Sequence, residues 1–182
     1  MTTTPLDIVD FWRSAGSKAW FARNDAFDAT LRERFEADHH AAARGDRDGW
    51  AVTAEGALAL ILLFDQFPRN MWRRSAHAFA TDPLARRAAR RAINAGYDLA
   101  IATDLRAFFY LPFAHSEDLV DQDFSVRLSE ALQQDRGPDA HSARSHREII
   151  KRFGRFPHRN RFLGRETTLE EAAFLEAGGF CG

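Results

Sequence analysis

The stretch from Thr53 to Pro68 constrains the fold of this chain more than any other. The eight residues Ala57-Leu58-Ala59-Leu60-Ile61-Leu62-Leu63-Phe64 carry no polar side chain. A helix that is apolar nearly all round has to be buried on every side. Thr53 stands where an N-cap is needed, and eight residues are far too few to span a bilayer. The segment is therefore expected to be the central helix of a soluble core. Directly behind it come Asp65, Gln66, Arg69 and Asn70, polar groups attached to the most apolar element of the chain. Proline lacks the N–H and its ring clashes with the preceding turn. Phe67-Pro68 is therefore expected to stop the helix and aim Arg69-Asn70 out of it.

The same grammar returns about ninety residues later as Arg155-Phe156-Pro157-His158-Arg159-Asn160. A guanidinium fork beside an amide suits a carboxylate or a phosphate, so the two motifs are expected to approach each other and share a site. Burying Asp65 without a partner costs several kcal/mol; Arg155 or Arg159 is the expected partner.

Helix signals recur along the rest of the chain and strand signals do not. Pro5 sits at a first-turn position before Leu6, Ile8, Val9, Phe11 and Trp12. Asp25 to Arg44 reads as a long amphipathic helix with Phe27, Leu31 and Phe35 on one face and Gly45 as its stop. Further helices are expected from Asp82 to Gly96, from Asp104 to Leu111, from a Ser116 cap, and from Gly137-Pro138 to Gly154. A last one opens at the capping box Thr168-Leu169-Glu170-Glu171. The expectation is a single all-α domain over residues 1–182, with about eight helices stacked as antiparallel hairpins on a tetratricopeptide-like path and no sheet. The Trp-Leu-Gly-Tyr pattern of that repeat is absent.

Charge is segregated although the formal net charge is only −1. Arg69 to Arg91 holds seven arginines against the single acid Asp82, and His141 to Arg165 holds eight Lys or Arg against the single acid Glu148. Asp104 to Asp139 holds eight acids and three arginines. One reading sets acidic and basic helices side by side; the other brings the two basic blocks to one anion site. The near-neutral total gives no push towards nucleic acid or an anionic membrane, and no aromatic-interleaved platform suggests RNA. A single cysteine, Cys181, fits a reducing compartment. The N-terminus has no basic stretch followed by an apolar run, so no signal peptide is expected. A cytoplasmic protein is the resulting expectation.

Several long motifs carry a family resemblance. They are Asp10-Phe11-Trp12, Trp20-Phe21, Gly56 through Asn70, Tyr110-Leu111-Pro112-Phe113-Ala114-His115-Ser116-Glu117-Asp118, Arg152 through Asn160, and Leu163-Gly164-Arg165. Together they resemble the uncharacterised bacterial family called domain of unknown function 924, over nearly the whole chain. The resemblance implies an all-α, tetratricopeptide-like fold without the repeat consensus, and it brings no assigned activity, cofactor or substrate. The departure is in the N-terminal loop, at Arg13-Ser14-Ala15-Gly16-Ser17-Lys18.

Three functions stay open on these residues. The first is binding of a small anionic or zwitterionic ligand, or an acidic peptide end, by Arg69, Asn70, Arg155, His158, Arg159 and Asn160 with Asp65 as orienter. The second is an enzyme in which His115 or His158 is the general acid/base and Glu117 its partner. The third is a protein–protein adaptor whose polar motifs only hold the fold together. Acids at 117, 118 and 121 suit a helix start, and no HExxH or CxxC pattern is present, so neither a metal nor a cofactor is expected. His39-His40 reads as solvated, and His77 and His141 lack suggestive neighbours.

Overall fold

The computed structural model describes residues 2–135 and 137–180, so the lone Cys181 lies outside the described residues. The molecule is all-helical, and no strand occurs among those residues. Its organising element is the expected central helix. Thr53 caps Ala54–Ile61 by accepting the Gly56 N–H, and every residue from Gly56 to Ile61 is buried. Gly56 is required there. A Cβ would stand 1.9 Å from the Trp50 carbonyl oxygen, because the short 3-10 helix Asp48–Val52 folds directly onto the start of the central one.

Three elements cover this apolar rod. Pro5–Ala15 is opened by a capping box between Thr4 and Asp7 and lies against it with Ile8, Val9 and Trp12 buried. Asp82–Asn94 packs through its alanines Ala85, Ala89 and Ala92, whose small side chains allow a close approach. Asp25–Ala43, capped by Asn24, packs against the continuation of the central helix. Aromatic rings fill the space between: Trp12 meets Phe67 and Phe108, each at 5.5 Å between centroids. The Trp20 indole N–H donates to the Trp12 carbonyl at 2.6 Å, which closes the N-terminal loop over this cluster.

The C-terminal part is a second unit of packing. Leu119–Gln134 and His141–Phe153 lie against each other. A small core of Ile149, Ile150 and Phe156, flanked by Phe153 and Phe174, anchors the last helix, Leu169–Glu176, opened by the expected Thr168 capping box. No helix among the described residues is long and apolar enough to cross a membrane.

Several boundaries differ from the sequence expectation. Helix does not stop at Phe67-Pro68: it widens into a π-turn at Leu62–Gln66 and runs on through Phe67–Met71. Proline is tolerated because a π-turn changes which N–H serves which carbonyl. The 104–111 segment breaks into the short helices Thr103–Arg106 and Leu111–Ala114 around a 3-10 turn. Asp118, not Ser116, caps the following helix, accepting the Val120 N–H at 2.7 Å. Of the basic face on Asp82–Asn94, Arg86 and Arg90 meet Asp121 at 3.4 and 2.6 Å.

Candidate functional site

The π-turn is the foundation of the site. The Phe67 N–H reaches back to the Leu62 carbonyl, and Pro68 has no N–H to give to either Leu63 or Phe64. Buried carbonyls need partners, and side chains from three elements supply them. His39 Nδ1 donates to Leu63 O at 2.8 Å, Thr81 Oγ1 to Phe64 O at 2.6 Å, and Arg69 Nη1 to Asp65 O at 2.7 Å. His39 is therefore buried and structural at that nitrogen, contrary to the solvated reading. π-turns occur frequently at functional sites, and this one sets Asp65 fully inside the protein.

Asp65 does not pair with Arg155 or Arg159. Its Oδ1 takes His115 Nδ1 at 2.7 Å and Arg69 Nη1 at 3.2 Å, and its Oδ2 accepts from Gln66 Nε2. Burial alone would raise its pKa, but Arg69 and His115 outweigh that and hold the carboxyl well below the usual carboxylate range. An ionised carboxylate only accepts hydrogen bonds, so the proton between the two groups belongs to His115 Nδ1. Burial, and next the charge of Arg69, depress the His115 pKa. The ring is thus held neutral, with its lone pair on Nε2.

Arg69 is fully engaged. Besides Asp65, it forms a two-pronged pair with Asp82, Nη1 to Oδ1 at 2.9 Å and Nη2 to Oδ2 at 3.0 Å. Arg159 arrives at the same carboxylate from the C-terminal motif, Nη1 to Oδ2 at 3.6 Å. The two motifs thus meet on Asp82, the single acid of the first basic block. Arg159 is only 6% exposed and lies between the faces of Phe156 and Phe79, at 4.4 and 4.7 Å. Its guanidinium makes no hydrogen bond to a described residue, and its Nε is a buried donor without a partner. Burial and the neighbouring Arg69 lower its pKa to about 10, which still leaves it charged at neutral pH.

Two more histidines border this arginine. Both ring nitrogens of buried His146 and the Nδ1 of His158 lack partners among the described residues. Burial pushes each pKa down to about 3, so both rings are neutral. Phe180 covers them, at 4.6 and 5.1 Å between centroids. These groups open on a cleft of about 940 Å³ between the start of Asp25–Ala43, the 66–79 segment and the C-terminal part. Its lining includes Arg69, Asn70, His115, His146, His158 and Arg159, together with Arg74 and the paired Asp28 and Arg73.

Other expected site residues lie elsewhere. Glu117 is not the partner of His115: it takes Arg165 at 2.6 and 2.9 Å and the Phe156 N–H at 2.8 Å. Arg155 is locked on Glu171 at 2.6 and 2.8 Å and on the Glu166 carbonyl at 2.8 Å. Buried Asn160 donates to Glu171 at 3.2 Å. Those three hold the C-terminal segment together. Asn70 lines the cleft but gives its amide to Asp28 at 3.0 Å. Sequence reasoning missed Asp82, Phe79 and Phe180. Only Asp82 carried a signal: one acid among seven arginines marks the group they have to share.

No curated protein matches the chain. A solved structure from Agrobacterium tumefaciens, described as a protein of unknown function, ATU0120, is 52% identical, with a TM-score of 0.91 over 96% of this chain and 97% of that one. A family model described as "Bacterial protein of unknown function (DUF924)" matches residues 8–179, and the chain belongs to that family.

Proposed function

We propose that the cleft binds a small molecule through an anionic group, a carboxylate or a phosphate, seated on Arg159. The observation that carries this is a buried guanidinium with unspent donors. Charges are desolvated at a cost of several kcal/mol and are normally paired and hydrogen-bonded, and Asp82 at 3.6 Å is already engaged by the fork of Arg69. The volume suits a metabolite-sized ligand. Neutral His146 and His158 add groups that both donate and accept. The lone cysteine supports a reducing compartment such as the cytoplasm.

The test is thermal unfolding with inorganic phosphate, pyrophosphate and small di- and tricarboxylates, beside mass spectrometry of small molecules retained on the native protein. At least one anion should raise the melting temperature of the parent and not of Arg159→Met. A panel without effect, or an equal effect on the variant, removes this reading.

The Asp65–His115 pair favours a second reading, an enzyme that acts on the bound anion. A buried carboxylate that fixes the tautomer and leaves a neutral Nε2 at a cleft is the arrangement of a general base. Turnover of an ester or phosphoester panel by the parent should vanish in His115→Gln while the anion-induced thermal shift remains. No turnover by the parent on any member sinks this reading and leaves the binding one standing.

A further inference from the structure

We propose that His39, His40 and His77 form a binding site for one borderline divalent transition-metal ion, zinc being the natural occupant. His39 and His40 are adjacent, His77 lies well beyond them in the chain, and no spacing motif announces the trio, but the fold brings one ligand atom from each within 4.8 Å of the others. His39 and His40 sit in the last turns of Asp25–Ala43, and His77 sits in the 3-10 helix Ala76–Phe79. None of the three lines the arginine-rich cleft, so the site is independent of the proposed anion-binding function.

The chemistry of each ring fits. Imidazole nitrogen suits zinc, nickel and copper and discriminates against magnesium and calcium. A metal-bound histidine ordinarily gives its other N–H to a carbonyl or carboxylate, which fixes ring and tautomer. His39 does this already: Nδ1 donates to the Leu63 carbonyl at 2.8 Å, so its lone pair is on Nε2. Glu36, one turn before His40, holds a carboxylate oxygen 3.9 Å from His40 Nε2 and is placed to take that N–H when Nδ1 binds. Trp72 stacks on His77 at 4.3 Å and meets the His39 edge at 4.9 Å, which gives the cluster an apolar wall.

Zinc–nitrogen bonds of about 2.0–2.1 Å in a tetrahedron set nitrogens about 3.4 Å apart. Closing the cluster to that size takes a shift of about an ångström. It falls on His40 and His77, which are part-exposed and exposed, while His39 is buried and anchored. Three histidines leave a fourth position for water, since His77 faces solvent.

The experiment is isothermal titration of the tag-free, metal-stripped protein with Zn²⁺, with Mg²⁺ as control and Co²⁺ absorption as the geometry readout. The parent should bind one equivalent of Zn²⁺ saturably, ignore Mg²⁺, and show the intense visible bands of tetrahedral Co²⁺. His40→Ala and His77→Ala, made at accessible positions that leave the Leu63 bond intact, should each weaken Zn²⁺ binding by at least about tenfold. His146→Ala should not. The same variants should melt like the parent without metal and lose the rise that Zn²⁺ gives the parent. Absence of saturable Zn²⁺ binding, or its retention within about twofold by either variant, overturns the three-ligand site.

Discussion

The two Phe-Pro motifs share their letters and differ in nearly everything physical. Phe67-Pro68-Arg69-Asn70 lies inside a continuing helix, where proline is accommodated by a π-turn and three side chains take the freed carbonyls. Phe156-Pro157-His158-Arg159-Asn160 follows a helix already ended by Gly154, whose φ of 68° is left-handed, and its proline opens a 3-10 turn. Arg69 spends its donors on two carboxylates, while Arg159 keeps most of its own. Asn70 faces the cleft, while Asn160 is internal. One motif is saturated and holds the site together; the other is undersaturated and is the one available to a ligand. A shared sequence pattern does not imply a shared role, because the role of a buried cation depends on how many of its donors the fold has already used.

Arg69→Ala is the most severe way to test that contrast. It leaves Asp65 and Asp82 with too few partners in the interior and should cost about 3–5 kcal/mol in urea unfolding. Arg159→Met should fall within about 1 kcal/mol of the parent, because an apolar side chain of similar reach replaces a poorly paired buried charge. Equal losses would erase the distinction between the motifs. Asp65→Ala comes next, at about 3 kcal/mol, since Arg69 keeps Asp82 but His115 loses its anchor. A loss below about 1 kcal/mol would mean that the π-turn does not depend on that carboxylate.

Acid tests the two histidines beside Arg159. His146 and His158 have folded pKa values near 3 against 6.5 for the free side chain. Between those pH values the unfolded chain binds protons that the native one does not. Stability should therefore be fully present above pH 6.5 and fall as the pH drops towards 3. Each histidine contributes up to about 1.4 kcal/mol per pH unit in that window. His146→Leu should flatten the acid limb measured by urea midpoints from pH 7 to 4; an unchanged limb would mean that the ring is protonated in place. The smallest effects concern the backbone at Gly154 and Pro68. Gly154→Ala forces a Cβ into a left-handed conformation and should cost about 1–2 kcal/mol. Pro68→Ala should cost about 0.4–1 kcal/mol, mainly through the freedom of the unfolded chain. Reversal of that order would make the proline inside the continuing helix, not the left-handed stop at Gly154, the tighter constraint.

Much of the architecture was legible from local chemistry. The apolar run at 57–64, the Thr53 cap, the Thr168 capping box and the stop at Gly154 act within one or two turns, so residue order alone reveals them. Legibility failed at Pro68, where proline predicts a break and the fold supplies His39, Thr81 and Arg69 instead. It failed again at Asp65, because every candidate arginine looks alike in sequence, and at Glu117, which was assigned to a histidine close in sequence but pairs with Arg165. Asp82 stood out as the single acid among seven arginines and as a helix start, but residue order did not show that both motifs converge on it.

What the sequence determined by itself is therefore the all-helical class, the identity of the buried central helix, and a stock of arginines, acids and histidines concentrated around two motifs. These follow from periodicity, capping and composition, which are short-range. Only the tertiary structure decided which charges meet: Arg69 with Asp65 and Asp82, His115 with Asp65, Arg155 with Glu171, and Arg159 with Asp82 at 3.6 Å but without a hydrogen bond to a described residue. The same holds for His77, which joins the adjacent His39 and His40 only when 3-10 helix Ala76–Phe79 folds against the end of Asp25–Ala43. The physical reason is common to all of them. Coulomb attraction and hydrogen bonding act over a few ångströms and are blind to sequence separation, so pairing is chosen by packing, and packing is settled by the whole chain at once.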